Sequence, residues 1–293
     1  MEIRYWTLLI FLGAIWGSAF IFIKVAAPEF GAVGLVQARL IIASLIFLPI
    51  LLRKKYLLLL NPIWKHSLIL AITNNAIPFT LFSLASFESE SNMLAILNAT
   101  TAFNTMIIAY FWLNETVTLK QFIGLIMGFI GVVILVNPDS SSTSLISAVL
   151  CLMGAACYSF YTVFIQKNSA KTNKLVLIGW SIIFSVFLMI PMTLFYLPSA
   201  VPSFDAFLSV LWLGGVSTGL AFLGYVRLIE KIGAVKTSTV AYFLPVFGII
   251  WGYIFLEEKI TTSIVIGCIT ILFGVFLATS KKIKKIEGQA HAK

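Results

Sequence analysis

The sequence predicts an all-α integral membrane protein whose ten transmembrane helices form two inverted repeats of five helices. The chain of 293 residues is 60% hydrophobic and 11% charged, whereas roughly a quarter of the residues are charged in ordinary soluble domains. Its apolar residues fall in blocks of about 20, the length needed to cross about 30 Å of hydrocarbon. In addition, one stretch occurs twice, about half a chain length apart.

The repeated stretch contains the end of one apolar helix, a short turn with a glutamate, and a second apolar helix. It reads YFWLNETVTLKQFIGLIMGFIGV at Tyr110–Val132 and YIFLEEKITTSIVIGCITILFGV at Tyr253–Val275. A shift of 143 positions places Glu115 on Glu258 and aligns the glycines of the second helix. Self-similarity at a fixed spacing is the signature of a duplicated architecture.

The apolar blocks predict ten spans joined by short connections. The first block lacks a small-residue cleavage site, so we expect it to be retained as a span and not removed as a signal peptide. In order, the expected spans are 6–26, 31–52, 66–87, 91–113, 119–136, 144–166, 175–197, 205–229, 237–256 and 262–280. The first repeat then covers 1–137, the second covers 144–280, and a basic cytoplasmic tail covers 281–293.

Lysine and arginine predict the orientation of the spans. If both termini lie on one side, that side holds seventeen of the twenty basic residues, and cytoplasmic loops carry such an excess. We therefore expect both termini in the cytoplasm, and we attribute the net charge of +9 to topology and not to nucleic-acid binding. Because each half has an odd number of spans, the second half enters the membrane upside down, with Glu115 at the cytoplasmic face and Glu258 at the outer face.

Three stretches resemble the EamA domains of the drug/metabolite transporter superfamily. They are LGAIWGSAFIFIKVA at Leu12–Ala26, VQARLIIASLIFLP at Val36–Pro49 and AYFLPVFGIIWGYIFLEEKIT at Ala241–Thr261. The resemblance implies two EamA units, ten helices in inverted repeats, and export or exchange of small polar metabolites, often amino acids. One departure is that Leu244–Val246 of the second half contains a proline that the equivalent 101–103 lacks. This difference predicts that the two halves need not move identically.

Charged side chains within the spans are candidate substrate contacts, because a charge in hydrocarbon needs a partner or a water-lined cavity. Arg39 lies about eight residues into span two, roughly 12 Å deep at about 1.5 Å per residue. It either pairs with a carboxylate or helix-end carbonyls, or binds substrate directly. The equivalent residue of the second half is Ile182, so this charge is not part of the duplicated scaffold. Lys24, near the outer end of span one, either binds substrate or extends to the interface.

Amides and aromatic residues complete the candidate substrate site. Amides of neighbouring helices either hold the helices together or line a cavity, and we favour a cavity because spans three and four carry several each. The equivalent helices of the second half give this cavity a more aromatic wall. Trp16 of span one either lines the cavity or simply packs against neighbouring helices. The candidates besides the two charges are Asn74, Asn75, Asn98, Thr101, Asn104, Trp16, Tyr225 and Tyr242.

The repeated glutamates and glycines predict structural roles. Glu115 and Glu258 each precede a new helix by about three residues and are expected to cap its N-terminus, with gating as the alternative. The glycines of spans five and ten suit static helix contacts, including a dimer interface. A monomer and a homodimer both remain open.

No catalytic or metal-binding constellation is present in the sequence. The three cysteines lie within apolar blocks without CxxC spacing, which is typical of packing residues. There is no P-loop, and His66 and His291 lie outside the apolar blocks. We therefore expect no metal, no cofactor and no enzymatic activity.

These observations predict a secondary transporter in the cell (inner) membrane. It would move a small polar organic metabolite, an amino acid or related solute, by alternating access, as an exporter, facilitator or exchanger. No Asp or Glu lies centrally in any span, which favours a facilitator or exchanger over a proton-coupled carrier. The alternative is a membrane-embedded enzyme or assembly factor for lipid-linked substrates, which would need paired carboxylates or a histidine near an interface.

Overall fold

A computed structural model describes residues 2–114, 116–135, 144–168, 172–196, 200–232 and 237–279. These residues form helices, six of which are long and apolar enough to cross a membrane, while three shorter apolar helices accompany them. An all-helical membrane protein is thereby confirmed. The helices are α1 (Ile3–Leu51), α2 (Trp64–Ala85), α3 (Ser91–Leu113), α4 (Leu119–Leu135), α5 (Leu145–Asn168), α6 (Lys174–Phe195), α7 (Phe204–Ile232), α8 (Phe243–Leu256) and α9 (Thr262–Thr279), with a single turn at Lys54–Leu57 and a 3₁₀ turn at Ser238–Tyr242.

Helix α1 is two helices joined at Gly31. This residue has φ 68° and ψ 159°, a backbone conformation that is essentially restricted to glycine. Beside it, the Glu29 carboxylate accepts hydrogen bonds from the backbone N–H of Ser203, at 2.5 Å, and from its hydroxyl, at 2.7 Å. The turn between the two parts of α1 is thus tied to the start of α7.

Glycines allow α4 and α9, which are equivalent helices of the duplicated sequence, to pack closely. Gly274 lies against the backbone of Gly124 and Gly128, whereas Gly267 lies against Leu135 at the other end of α4. Residue numbers rise along one helix as they fall along the other, so the two helices are antiparallel. These glycines therefore serve a contact within one chain.

The equivalent helices α3 and α8 also cross antiparallel. Ala95 lies against Gly248, and one helical turn away Ser91 lies against Gly252. A Cβ atom at either glycine would collide with α3 or with the Glu258 side chain. The α8 glycines are therefore required for this close approach.

Helix α3 is interrupted at Ala99 and Thr100, one position from the place where the 3₁₀ turn of the second half gives way to α8. A break is therefore present at this place in both repeats, although 101–103 lacks the proline. Threonine hydroxyls accompany the break in place of a proline. Thr100 donates to the Leu97 carbonyl at 2.6 Å, and Thr101 donates to the Asn98 carbonyl at 2.7 Å. Such local bonds compete with the helical ladder.

Two π-helical segments occupy equivalent places in α2 and α7. They span Ala71–Ala76 and Trp212–Leu220, and a shift of 143 residues superposes them. Pro78 follows the first segment and has no N–H to continue the regular ladder. Because π-segments are rare and are frequent at functional sites, this symmetric pair marks the region where α2 and α7 carry their polar side chains.

Candidate functional site

Arg39 is a buried cation held between the two halves of the chain. It lies on α1 and is 7% exposed, and its Nε donates to the Thr218 hydroxyl of α7 at 2.8 Å. Its guanidinium carbon lies 3.8 Å from the centroid of the Phe79 ring on α2, a favourable cation–π contact. Within the described residues no carboxylate forms an ion pair with Arg39, and its two Nη nitrogens donate no hydrogen bond. The guanidinium is therefore only partly satisfied.

The π-segment of α7 positions the partner of Arg39. The Thr218 hydroxyl donates to the Leu213 carbonyl, five residues back, at 2.8 Å, and so presents its lone pairs to the Arg39 Nε. Gly214 allows the approach, because a Cβ atom there would lie 2.6 Å from the Arg39 carbonyl oxygen. The site therefore depends on backbone geometry as well as on side-chain identity.

Aromatic side chains of α2 and α5 lie around Arg39. Phe79 shares a face of α2 with Phe82, whose ring stacks on Tyr158 at 6.0 Å, and Tyr158 lies near Arg39. On the other side, Trp16 lies 5.9 Å from Phe222 and 5.2 Å from Tyr225. We call these side chains the aromatic wall; it comprises Trp16, Phe79, Phe82, Tyr158, Tyr161, Phe222 and Tyr225.

The tyrosines of the aromatic wall have unused hydroxyl groups. Tyr158 and Tyr161 lie on one face of α5 at a spacing of three residues, and the second lies near Tyr225 of α7. All three are half-buried, and their hydroxyls form no hydrogen bonds within the described part of the chain. Buried phenol hydroxyls usually find a partner, so these groups are available to a ligand.

Asn74 and Asn75, predicted to line the cavity, lie instead in a helix contact. Asn75 is fully buried, and its Nδ2 donates to Ser181 at 3.3 Å and to Ser185 at 3.0 Å, both on α6. The Asn74 Nδ2 donates to the side-chain Oδ1 of Asn75 at 3.1 Å. This geometry corresponds to the packing alternative, because the amide groups satisfy neighbouring side chains. We leave both asparagines out of the proposed site.

The polar residues of α3 cluster at its interruption. The Thr101 hydroxyl donates to the Asn98 carbonyl, and the Thr101 carbonyl accepts from Ser159 of α5 at 2.8 Å. The Asn98 side-chain oxygen is buried without a hydrogen-bond partner in the described chain, and such groups call for an explanation. Asn98 and the half-buried Asn104 therefore remain candidates, whereas Thr101 has a structural role.

Of the predicted aromatic residues, Trp16 and Tyr225 belong to the aromatic wall. The Trp16 indole Nε1 donates to the Ser217 carbonyl at 2.9 Å, which fixes the ring between α1 and α7. Tyr242 is placed differently, since its hydroxyl donates to the Val275 carbonyl of α9 at 3.4 Å. Its contact joins the 3₁₀ turn to α9.

Lys24 lies in a charged cluster at the end of the molecule where α3 begins and α8 ends. Its ammonium group donates to the carbonyls of Ser86, at 2.7 Å, and Ser89, at 2.8 Å. An open cleft of about 480 Å³ adjoins it, lined by Lys24, Glu90, Leu256, Glu257, Glu258 and Lys259. Burial raises the pKa of Glu90 above its usual value, although a hydrogen bond from Asn92 and the nearby Lys24 and Lys259 oppose the shift.

The structure corrects the expected role of Glu258. Its carboxylate does not cap the helix that follows it, since Thr261 accepts from the Ile264 N–H at the start of α9. Instead, it accepts from the backbone N–H groups of Ser91 at 2.5 Å and Asn92 at 3.0 Å, the first residues of α3. A left-handed residue, Glu257 at φ 53°, turns the chain at this point. The equivalent Glu115 lies outside the described residues.

Sequence reasoning did not select Tyr158, Tyr161 or Phe79 for the site. Their chemical types are common in spans, and only the fold shows that they surround Arg39. A usable signal was present for the tyrosines, because a spacing of three residues puts both hydroxyls on one face of span six. No comparable signal connects Thr218 with Arg39, which are 179 residues apart.

Comparisons with known proteins agree with this fold. An "Uncharacterized transporter" of Archaeoglobus fulgidus is 23% identical over 95% of this chain and all of its own. The "Uncharacterized transporter YvbV" of Bacillus subtilis is 26% identical over 94% of this chain and 91% of its own. A "Probable amino-acid metabolite efflux pump" of Escherichia coli K12 is 21% identical over 90% of each chain.

A solved crystal structure shares the fold, with a TM-score of 0.66 and 17% sequence identity over 95% of this chain and 97% of that one. The sequence model of the EamA-like transporter family matches twice, at residues 4–137 and 145–280, and so covers nearly the whole chain. The chain belongs to the EamA-like transporter family.

Proposed function

We propose that this protein is a secondary transporter that moves a small polar organic metabolite across the cell membrane by alternating access. The observation that carries the proposal is Arg39, a buried and partly unsatisfied cation contacted by side chains from both halves. Membership of a transporter family supports the same conclusion. The name of the Escherichia coli relative favours amino acids or related solutes.

The proposed architecture is ten spans in two inverted repeats. Gly31 divides α1 into two helices, and each is long enough to serve as one span. Two pairs of equivalent helices, α4 with α9 and α3 with α8, cross antiparallel. An axis in the membrane plane turns a helix upside down onto its equivalent, whereas an axis along the membrane normal would leave the two parallel. The antiparallel contacts therefore favour an inverted repeat.

The closed end of the molecule supports alternating access. α3 and α8 pack tightly at the end that holds Ser91 and Glu258, whereas the described parts of their other ends, Thr101–Leu113 and Ser238–Tyr242, make no comparable contact. In an inverted repeat the same rocking that opens one end closes the other. We assign the closed end to the outer face, because the distribution of basic residues in the sequence predicts cytoplasmic termini.

Proteoliposome transport tests this function. The protein is reconstituted, the vesicles are loaded with labelled amino acids and organic acids, and the released solutes are identified chemically. We expect release of an unmodified solute, loss of release in Arg39→Ala, and partial activity in Arg39→Lys, since lysine lacks the planar fork of arginine. Arg53→Ala, at an exposed loop position, should transport normally. Chemical conversion of the solute would instead indicate an enzyme, and normal transport by folded Arg39→Ala would remove Arg39 from the pathway.

A further inference from the structure

The charge balance around Arg39 restricts the substrate. Every acidic side chain of the described residues lies in a loop or near a helix end, and none lies within the aromatic wall. A buried positive charge is unfavourable unless it is paired. The Thr218 hydroxyl and the Phe79 ring satisfy only part of the guanidinium, which leaves two Nη groups in the fork geometry that suits a carboxylate.

The surroundings of the guanidinium restrict the rest of the substrate. The side chains that lead from Arg39 to Trp16 and Tyr225 are aromatic, and such walls favour flat apolar groups through offset or edge-to-face contacts. The hydroxyls of Tyr158, Tyr161 and Tyr225 are additional donors within the same wall. By contrast, no described side chain of this wall offers a carboxylate to bind an ammonium group.

We propose that the substrate is an organic monoanion with a flat, apolar body, whose carboxylate binds the Nη groups of Arg39. The Tyr158 hydroxyl donates a further hydrogen bond to the same carboxylate, and the apolar body lies against Trp16 and Tyr225. A cation is rejected because it would meet Arg39 without a counter-charge. This inference rests on the proposed function, and it narrows the substrate from amino acids and related solutes to organic acids that carry no ammonium group.

Two probes of similar shape and opposite charge test the substrate class. Melting temperatures of the purified protein are measured with phenylacetate and with phenethylamine, because a ligand that binds the folded state raises the melting temperature. We expect a rise with phenylacetate only, no rise in Arg39→Gln, a smaller rise in Tyr158→Phe, and an unchanged rise in Arg53→Gln. Equal stabilisation by phenethylamine, no stabilisation by phenylacetate, or a rise that persists in Arg39→Gln would each overturn the proposal. Transport of other solutes in proteoliposomes would then still support a carrier.

A second inference concerns Glu258 and rests on different contacts. Its buried carboxylate, 8% exposed, accepts from the first two N–H groups of α3 while belonging to the segment after α8. A helix N-terminus stabilises such a charge through its dipole and its unpaired N–H groups. Gly252 provides the space, since a Cβ atom there would collide with the Glu258 carboxylate. Lys24 binds the loop that precedes α3 and lies near the Glu258 carboxylate, which its positive charge attracts.

We infer that Glu258 holds this end of the transporter closed and that the end opens when its carboxylate leaves the N-terminus of α3. The contact joins the two repeats directly, so it must break when α3 and α8 separate. Glu258 acts here as a positioning residue and does not touch the substrate. The neighbouring Glu257 is exposed and makes no such contact, which provides a matched control.

Cysteine labelling measures this closure. Ser91→Cys is introduced into a variant without the three native cysteines, and maleimide labelling is followed in detergent, where both ends of the protein are accessible. Ser91 is fully buried at the closed end, so its labelling reports opening. We expect Glu258→Ala and Gly252→Ala to be labelled at least about tenfold faster, a change equivalent to about 1.4 kcal/mol. Glu258→Gln should be intermediate and Glu257→Gln unchanged. Labelling of folded Glu258→Ala and Gly252→Ala at the parent rate would overturn the inference.

Discussion

Within the described residues, three with positive φ lie where a helix has to turn. Gly31 divides α1, while Asn114 and Glu257 end equivalent helices at φ 54° and φ 53°. Glycine adopts such conformations at little cost and asparagine is tolerated there, but glutamate is disfavoured by roughly 1–2 kcal/mol. The left-handed turn therefore belongs to the duplicated scaffold, and the strain at Glu257 lies directly beside the closure formed by Glu258.

Gly31→Ala is expected to lower the free energy of unfolding by about 1–3 kcal/mol, the cost of a side chain in this backbone region. The cost is conformational and not steric, because no described atom beyond the adjacent residues lies within 4 Å of the place that the new Cβ would occupy. Denaturant unfolding of the purified protein measures it. Gly34→Ala is the control, since this helical position has its nearest neighbour at 3.8 Å and should gain up to about 1 kcal/mol. Equal stability of the two variants would contradict the argument from backbone strain.

Glu90→Gln is expected to stabilise the protein at neutral pH. Burial raises the pKa of Glu90 above its reference value of 4.5, which means that its ionised form is less favourable in the folded state than in the unfolded state. The free energy of unfolding is therefore unaffected below the pKa that Glu90 has in the unfolded state. It falls as the pH rises through the higher pKa of the folded state. Melting temperatures measured from pH 4 to pH 7 should diverge between the two proteins as the pH increases. The exposed Glu88→Gln should show a smaller effect, and a constant difference across the range would exclude titration as the cause.

The residues of the site were only partly predictable. The depth of Arg39 within an apolar block identifies it from sequence, because a charge at that place requires a partner. The partner itself depends on a tertiary contact with Thr218 and on a π-type hydrogen bond that no sequence pattern indicates. Asn75 is expected from its polarity to line the cavity, but its side-chain amide instead joins α2 to α6.

At the scale of helices, the duplicated sequence predicts where equivalent features lie along the chain, but it does not predict which side chains cause each break in a helix. The spacing of 143 residues correctly pairs the π-segments, the left-handed helix ends and the helix interruptions. It does not reveal that threonine hydroxyls interrupt α3 where proline is present in α8. Different chemistry thus produces the same break, because either a missing N–H or a competing hydroxyl weakens the helical ladder.

Gly274→Leu is expected to separate α4 from α9 and to destabilise the protein by about 1–3 kcal/mol, the usual cost of overpacking. A Cβ atom at this position would lie 2.7 Å from the Gly124 carbonyl oxygen and 2.8 Å from the Gly128 nitrogen, so backbone atoms must move. Thermal unfolding and size-exclusion profiles measure the effect. Ile269 lies on the same helix and is 62% exposed, so Ile269→Leu should leave the stability nearly unchanged. A well-folded Gly274→Leu of unchanged melting temperature would show that this contact is not tight.

At the scale of the whole molecule, the all-helical membrane architecture follows from sequence because apolar length is a property of whole segments. Blocks of about 20 apolar residues predict the helices, and the repeat predicts which helices are equivalent. The small loops leave little freedom in the connections. What sequence does not specify is which end is closed, since this depends on contacts such as those of Glu258 with α3, 166 and 167 residues away in the chain.

The two ends of α7 provide a test of orientation within a single helix. Asp205 and Glu230 are exposed and lie near the opposite ends of Phe204–Ile232, which are separated by about 40 Å at about 1.5 Å per residue. The distribution of lysine and arginine predicts that Asp205 lies outside and Glu230 in the cytoplasm. We therefore expect a membrane-impermeant maleimide to label Asp205→Cys in intact cells and to label Glu230→Cys only after permeabilisation, each in a background without the three native cysteines. The reverse pattern would place the closure formed by Glu258 at the cytoplasmic face. Labelling of both positions in intact cells would mean that α7 does not cross the membrane, and the inverted ten-span arrangement would then have to be abandoned.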